Sequence, residues 1–374
     1  MVDRGPDPRY SLCMAVSERF TNTRFAAGVV GSLPRPLMVR EMLPELPGPA
    51  SAAAARSPQM DAAVRYAIAV QEQAGLDLVS DGEWRRHAYT HVIADIATGF
   101  TGDARTEPHR WGISVTEPME VVNPGLIAAE ARFLVDATDR MTKVCVPSPY
   151  LLGVRLWERE VSSRAYPTRD RFIEEVAVIL RQELLALQET GVTIVQIDEP
   201  HLCVLVDPSY RDSFEDARYE MDLAADMING MLAGVDRVQT ALHLCRRNYG
   251  RRGWGAEGGY DPIVETMCKI DVDQYVMEFS IPVAGDVSIL RRLPEDRLIG
   301  LGAVECRFEK IDATEEIVAR VEEAIEHVDP GRLSLNPDCG FAPGVAIDMP
   351  LEEPYLKLKN EAEAASRLRD RHPA

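Results

Sequence analysis

Eight short apolar runs recur along the chain, at 26–32, 76–80, 143–146, 192–197, 238–242, 274–278, 298–304 and 333–335. Each is strand-sized and gives way to a polar, Gly or Pro residue, as buried strands do. Between or after most of them lie stretches with helical periodicity, at 60–74, 126–137, 168–190, 214–232, 314–327 and 351–370. Gly75 and Gly191 read as helix stops, and Thr168 as an N-cap. Strand and helix in regular alternation specify a parallel sheet covered by helices. Eight such units predict a (β/α)8 TIM barrel, whose functional groups sit at the C-terminal strand ends. The remaining segments fit around that plan. Residues 1–22 are polar, carry Pro6 and Pro8, and read as an N-terminal extension, leaving 23–374 as a single barrel domain. The Pro-, Ala- and Ser-rich stretch 47–58 reads as a loop, alternation in 113–121 as an inserted hairpin, and 246–260 as a loop over the site.

Chemistry gathers where the barrel plan puts it. His243 and Cys245 lie two residues apart at the end of the fifth run, and residues i and i+2 of a strand share a face. An imidazole and a thiol side by side make half of a tetrahedral zinc shell. Glu278 ends the sixth run, and Cys339 follows the eighth in Asn336-Pro337-Asp338-Cys339-Gly340. A His-x-Cys pair alone fits a hydrogen-bonded core histidine equally well. Four zinc-ligand side chains on one rim shift the reading to a zinc site of His243, Cys245, Glu278 and Cys339. A thiol bound there loses its proton near neutral pH and becomes a nucleophile. Four protein ligands usually mark a structural site, so catalysis requires that one of them, Glu278 being the best placed, yields to substrate.

Two carboxylates, Glu83 and Asp198, also follow apolar strands. Burying them is costly unless they are paired or functional. Facing the rim, they can receive an ammonium group, while Gly31 and Ser32 can offer N–H and hydroxyl to a carboxylate. Together these describe a pocket for a thiol-bearing α-amino acid. Pairing of Glu83 with Arg85 or Arg86 is the structural alternative. Arg246, Arg247, Arg251 and Arg252 form a basic run of the kind that is usually a solvated face, or else a contact for an anionic donor.

A net charge of −19 excludes nucleic acid and anionic membrane surfaces as main partners. No apolar run approaches the roughly 18 residues of a membrane span. Seven scattered cysteines do not form a disulfide framework, which points to a reducing, cytoplasmic setting. Cys13, Cys145, Cys203, Cys268 and Cys306 are read as structural.

The motifs Gly31-Ser32-Leu33-Pro34, Asp81-Gly82-Glu83, Gln196-Ile197-Asp198-Glu199-Pro200, His243-x-Cys245, Glu278 and Asn336-Pro337-Asp338-Cys339-Gly340 resemble, in order, those of the cobalamin-independent methionine synthases. The match is to their C-terminal catalytic barrel, over about residues 24–345, in the manner of the short single-barrel members. The resemblance implies that His243, Cys245, Glu278 and Cys339 hold Zn2+ and join Asp198 in the catalytic centre. Gly31, Ser32, Glu83, Asp198 and Glu199 would bind homocysteine. The implied reaction is methyl transfer to homocysteine, giving methionine, from a methyl-folate or methyl-corrinoid donor. A corrinoid protein and a homodimer are the partners it suggests. Arg307 stands where the long enzymes carry a His linked to folate protonation, which favours a readier donor. Alkylation or dealkylation of another thiol, and a non-catalytic zinc- or thiol-binding barrel, are the alternatives.

Overall fold

The computed structural model describes residues 23–102, 112–342 and 349–373. The N-terminal extension at 1–22 lies outside the described residues. Seven strands build one parallel sheet: β1 (Leu78–Val79), β4 (Met141–Pro147), β5 (Ile194–Asp198), β6 (Gln239–Leu244), β7 (Gln274–Glu278), β8 (Leu298–Val304) and β9 (Leu333–Pro337), in that spatial order. The other two, β2 (Phe100–Gly102) and β3 (Ile113–Val115), pair as a separate antiparallel hairpin near where alternation predicts one.

The sheet strands are buried almost throughout, as parallel strands covered on both sides must be. Their Val, Ile and Leu side chains suit that surface. The outer cover begins as expected. Thr168 accepts from the Arg171 N–H at 3.3 Å to start the helix Arg169–Leu187, and Ser57 caps Pro58–Ala74 through the Met60 N–H. Gly75 closes that helix in the left-handed region at φ +94°, a conformation that favours glycine.

The sheet curls upon itself. Ala26, Val30, Leu78, Met141, Ile194, Ala241 and Val276, from an entry segment and five strands, meet in one small apolar cluster. Such a meeting requires the strands to wrap around a common interior. The first expected strand, 26–32, is mostly extended chain with a single ladder pairing, Ala27 with Leu335 of β9. It still links the two sheet edges. Gly28 donates to the Leu335 carbonyl at 3.0 Å, Leu335 donates to Ala26 at 2.9 Å, and Leu78 donates to Ala27 at 3.1 Å. Gly28 also donates to the buried Glu361 carboxylate, which takes hydrogen bonding away from a longer ladder.

The stretch 47–58 is a correction. It contains a helix, Pro49–Ala54, because Pro49 sits at the first helical position and the run after it is mainly alanine. Its Pro and Ser content alone suggests a loop. No helix among the described residues is long and apolar enough to cross a membrane.

Candidate metal centre and the pocket beside it

His243 is near the end of β6, and Cys245 is the first residue beyond it. Cys339 follows β9 by two residues. The ligand atoms of these three side chains all lie within 4.8 Å of one another, and all three residues are buried. Cys339 Sγ stands 3.5 Å from Cys245 Sγ. Neither ring nitrogen of His243 has a hydrogen-bond partner among the described residues. A buried imidazole with both nitrogens unanswered is expensive, and a dry pair of thiols adds to the demand. A borderline-soft cation answers all three, so the donor set suits zinc.

The three groups are already polarised toward that state. The Cys339 thiol donating to it, with His243 beside it, holds the Cys245 thiol well below its ordinary range. Cys339, which keeps the shared proton, is pushed up. Burial alone would lower the His243 pKa, but the Cys245 thiolate outweighs it and the net shift is upward.

Glu278 ends β7 outside that group of three. Its Oε1 takes an ion pair from Arg307, and its Oε2 accepts from the Arg246 backbone N–H at 2.7 Å and guanidinium at 3.3 Å. Both arginines are fully buried. Arg246 is far from a solvated face: it donates to the Gly258 and Ala284 carbonyls and lies 4.3 Å over the Tyr260 ring. Arg307 also donates to the Arg247 carbonyl at 2.9 Å and stands 3.8 Å from Asp338. Burial, and then the Glu278 charge, push Asp338 up to about 7, against the N–H groups of Phe279 and Ser280 that it accepts at 3.0 Å.

A second cluster lies next along the rim. Ligand atoms of Glu83, Cys145 and Asp198 fall within 4.8 Å of one another. Asp198 is paired in the sheet with His243, so the two clusters meet across β5 and β6. Gly31 is required here by space: a Cβ on it would lie 2.6 Å from Cys145 Sγ and 2.7 Å from Glu83 Oε1. Gly340 leaves room in the same way for Ser32 Oγ, which accepts from the Ala342 N–H at 3.3 Å. Glu83 sits at φ +56°, with its carbonyl held by Arg35 at 2.6 Å and its Oε2 without a partner among the described residues. The pairing weighed for it falls elsewhere, since Arg85 pairs with Asp61 and Arg86 with Glu130. Burial, opposed by Arg86 and aided by the Asp198 charge, pushes Glu83 up to about 8. Burial likewise raises Asp198 to about 6.

Three members of this pocket went unread in the sequence. Cys145, taken as structural, donates to the Val30 carbonyl at 3.0 Å and faces both carboxylates. Gln196 donates to Asp198 Oδ1 at 2.8 Å, and Lys143 donates to Gln196 Oε1 at 2.9 Å. Burial lowers Lys143 to about 8. The signal was available: 143 and 145 share one strand face, and 196 and 198 share the next. Polar residues two apart inside apolar strands belong to an interior site. Glu199 has different work from the substrate contact expected of it. Its Oε1 accepts from Leu202 N–H at 2.9 Å, and its Oε2 from Leu151 N–H at 3.2 Å and the Ser148 hydroxyl. It thereby caps the helix Pro200–Val204 and backs Ser148, which caps Pro149–Leu156.

Comparisons with known proteins point to one family. The family model described as "Cobalamin-independent synthase, Catalytic domain" matches residues 25–366. The methionine synthase of Pyrococcus abyssi is 29% identical over 352 residues, covering 91% of this chain and 92% of its own. That of Pyrococcus horikoshii is 28% identical over 306 residues, covering 80% of this chain and 79% of its own. A solved structure of a B12-independent methionine synthase from Shewanella sp. W3-18-1, in complex with selenomethionine, superposes with a TM-score of 0.72 at 20% identity. It covers 93% of this chain and 98% of that one. At that identity the likeness speaks for the fold, which is TIM-barrel-like. The family is cobalamin-independent by description, so it does not call for the corrinoid protein expected as a partner.

Proposed function

The chain belongs to the cobalamin-independent synthase family, and on that premise we propose that it is a zinc-dependent methyltransferase that converts homocysteine to methionine. The observation that carries the reading is the adjacency of two buried clusters. The metal-ligand group His243, Cys245 and Cys339 stands beside the carboxylate group Glu83 and Asp198. One suits a thiol and the other an ammonium, and homocysteine carries both. A thiol lacking an amino group would leave Glu83 Oε2, which has no partner among the described residues, unanswered, at a cost of roughly 1–3 kcal/mol.

In this reading His243, Cys245 and Cys339 hold the zinc. Glu278 is the proposed fourth ligand, restrained by Arg246 and Arg307. Zinc, when bound, supplies the charge that keeps the substrate thiol ionised near neutral pH. Glu83 and Asp198 hold the ammonium group, and Lys143 and Gln196 fix the direction of Asp198. Gly31 and Ser32 face the substrate carboxylate. The curled sheet around them forms a closed (β/α)8 barrel that excludes water and aligns sulfur with the incoming methyl group. Carbon–sulfur bond formation accompanies cleavage of the donor–methyl bond, and the donor keeps the electron pair. An arginine keeps its proton, so Arg307 is no acid for the donor. A donor that leaves without protonation at this residue fits better than a folate that needs it.

Mass detection of methionine from homocysteine across a panel of methyl donors tests this directly. The full chain should carry about one zinc, and Cys245→Ser or Cys339→Ser should lose most of it, with transfer falling on the order of 100-fold or more. Unimpaired transfer by metal-free protein sinks the zinc assignment. Faster alkylation of a thiol without an amino group sinks the choice of acceptor.

A further inference from the structure

A cationic cluster on the same rim is not used by this mechanism. Arg155 lies in the helix that follows β4, His201 in the helix that follows β5, and Arg247 two residues beyond Cys245. Arg155 Nε donates to His201 Nε2 at 3.0 Å, and Arg247 Nη2 stands 3.1 Å from His201 Nδ1. Guanidinium groups only donate, while a neutral imidazole has one accepting nitrogen and one N–H. The ring is held neutral, since burial, then Arg155, then Arg247, keep its pKa well below the ordinary range. The single accepting nitrogen of the ring therefore serves one of the two guanidinium groups, and its N–H faces the other.

Arg247 carries the larger imbalance. Among the described residues its guanidinium partners are His201, Tyr249 Oη at 3.0 Å and Tyr210 Oη at 3.4 Å, with no carboxylate among them. Its Nε is buried and has no partner among the described residues. Its neighbours differ, for Arg246 pairs with Glu278 and Arg251 with Glu353. Arg247 is also one of three non-glycine residues at positive φ among the described residues, at +66°, a strained conformation of the kind that gathers at working sites. Arg307 is a guanidinium whose charge acts on both thiols. Arg155 lies 5.4 Å over the Tyr89 ring and within electrostatic reach of Cys245, which sets the cluster beside the metal-ligand group.

We propose that Arg247 and Arg155, on either side of His201, form an oxyanion subsite for the second substrate. It would seat a carboxylate, sulfonate or phosphate group of the methyl donor beside the thiol cluster. The subsite rests on the reading of this rim as a methyltransferase centre with an amino-acid acceptor. The acceptor's ammonium and carboxylate are answered on other segments, at Glu83, Asp198 and Ser32, which leaves this cluster for the donor. An oxyanion here supplies the charged acceptor that Arg247 lacks among the described residues, in the charge-assisted geometry arginine favours, with Arg155 adding its charge.

The test has two arms on the zinc-loaded full chain. In the first, sulfate, inorganic phosphate and acetate are titrated by calorimetry at constant ionic strength, with chloride as the balancing salt. Saturable binding of at least one, weakened about 10-fold in Arg247→Gln and largely restored in Arg247→Lys, is the expected result. The rank of the three anions identifies the group. Equal binding by native protein and Arg247→Gln, or none by either, overturns the proposal. In the second arm, KM is measured for an anionic methyl donor and for trimethylsulfonium, a donor with no anionic group. Arg247→Gln should raise the first about 10-fold more than the second, with little change in kcat. Equal effects on both donors overturn the assignment to the donor. Homocysteine binding, followed separately, distinguishes failure of this proposal from failure of the methyltransferase reading, because the anion titration needs no turnover.

Discussion

Glu83 shows what the pocket asks of a single side chain. It is buried, it stands at positive φ, and burial lifts its pKa from 4.5 to about 8. A carboxylic acid whose folded pKa is raised binds more protons folded than unfolded. Its contribution to stability is therefore complete below about pH 4.5 and is lost as the pH climbs through 8. Glu83→Gln abolishes that titration. The metal-free variant should gain stability over native protein between pH 5 and 8, by up to about 1.4 kcal/mol per pH unit. Denaturant titration at several pH values measures this, and a difference flat across the range contradicts it. The same variant should bind homocysteine about 10- to 100-fold more weakly, since the ammonium loses a charged partner. Stability and binding thus move in opposite directions, as expected of a residue kept for function. Glu83 was legible in the sequence because a carboxylate closing an apolar strand is conspicuous. Cys145 was not, because a thiol in such a strand reads as core until the Gly31 approach brings it against Glu83. Arg246 was misjudged because a run of arginines carries no mark of which one turns inward to Glu278.

At the scale of elements, the rim depends on short helices begun at strand ends. Glu199 starts one and backs Ser148, which starts another, holding Leu202 N–H, Leu151 N–H and the Ser148 hydroxyl with one carboxylate. Losing it removes the acceptor of the Leu202 N–H and of the Ser148 hydroxyl, while the Leu151 N–H keeps Ser148 Oγ at 3.0 Å. Glu199→Ala should destabilise the chain by about 1–3 kcal/mol, from one lost cap and a buried Ser148 hydroxyl left without its acceptor. The homocysteine KM should stay within about twofold in the fraction that folds, since the carboxylate is committed to the helices. A loss of homocysteine affinity of about 10-fold or more, with stability unchanged, would return Glu199 to the substrate. Periodicity located most strands and helices within a few residues, because burial on both faces of the sheet imposes apolar runs. It missed helices such as Pro149–Leu156 and Pro200–Val204, which are too short to show a period and are set by the Ser148 and Glu199 caps. It overstated the first strand, whose backbone bonds partly to Asp77 and Glu361 carboxylates instead of to a ladder.

For the whole molecule, alternation of strand and helix was enough to place His243, Cys245, Cys339, Glu83 and Asp198 on one rim. The net charge of −19 coexists with a site rich in buried arginine, so overall sign says little about a pocket. What the sequence could not convey was the state of Glu278. Whether it faces the thiols or the two arginines depends on side chains from β7 and from the segments after β6 and β8, far apart in the chain. The central claim is that the metal is held by two protein thiols and accepts a third sulfur from the substrate. Zinc-edge X-ray absorption on the metal-loaded full chain, with and without saturating homocysteine, measures this directly. The account predicts two sulfur ligands before addition, from Cys245 and Cys339, and three after it. A sulfur count that homocysteine leaves unchanged would contradict it.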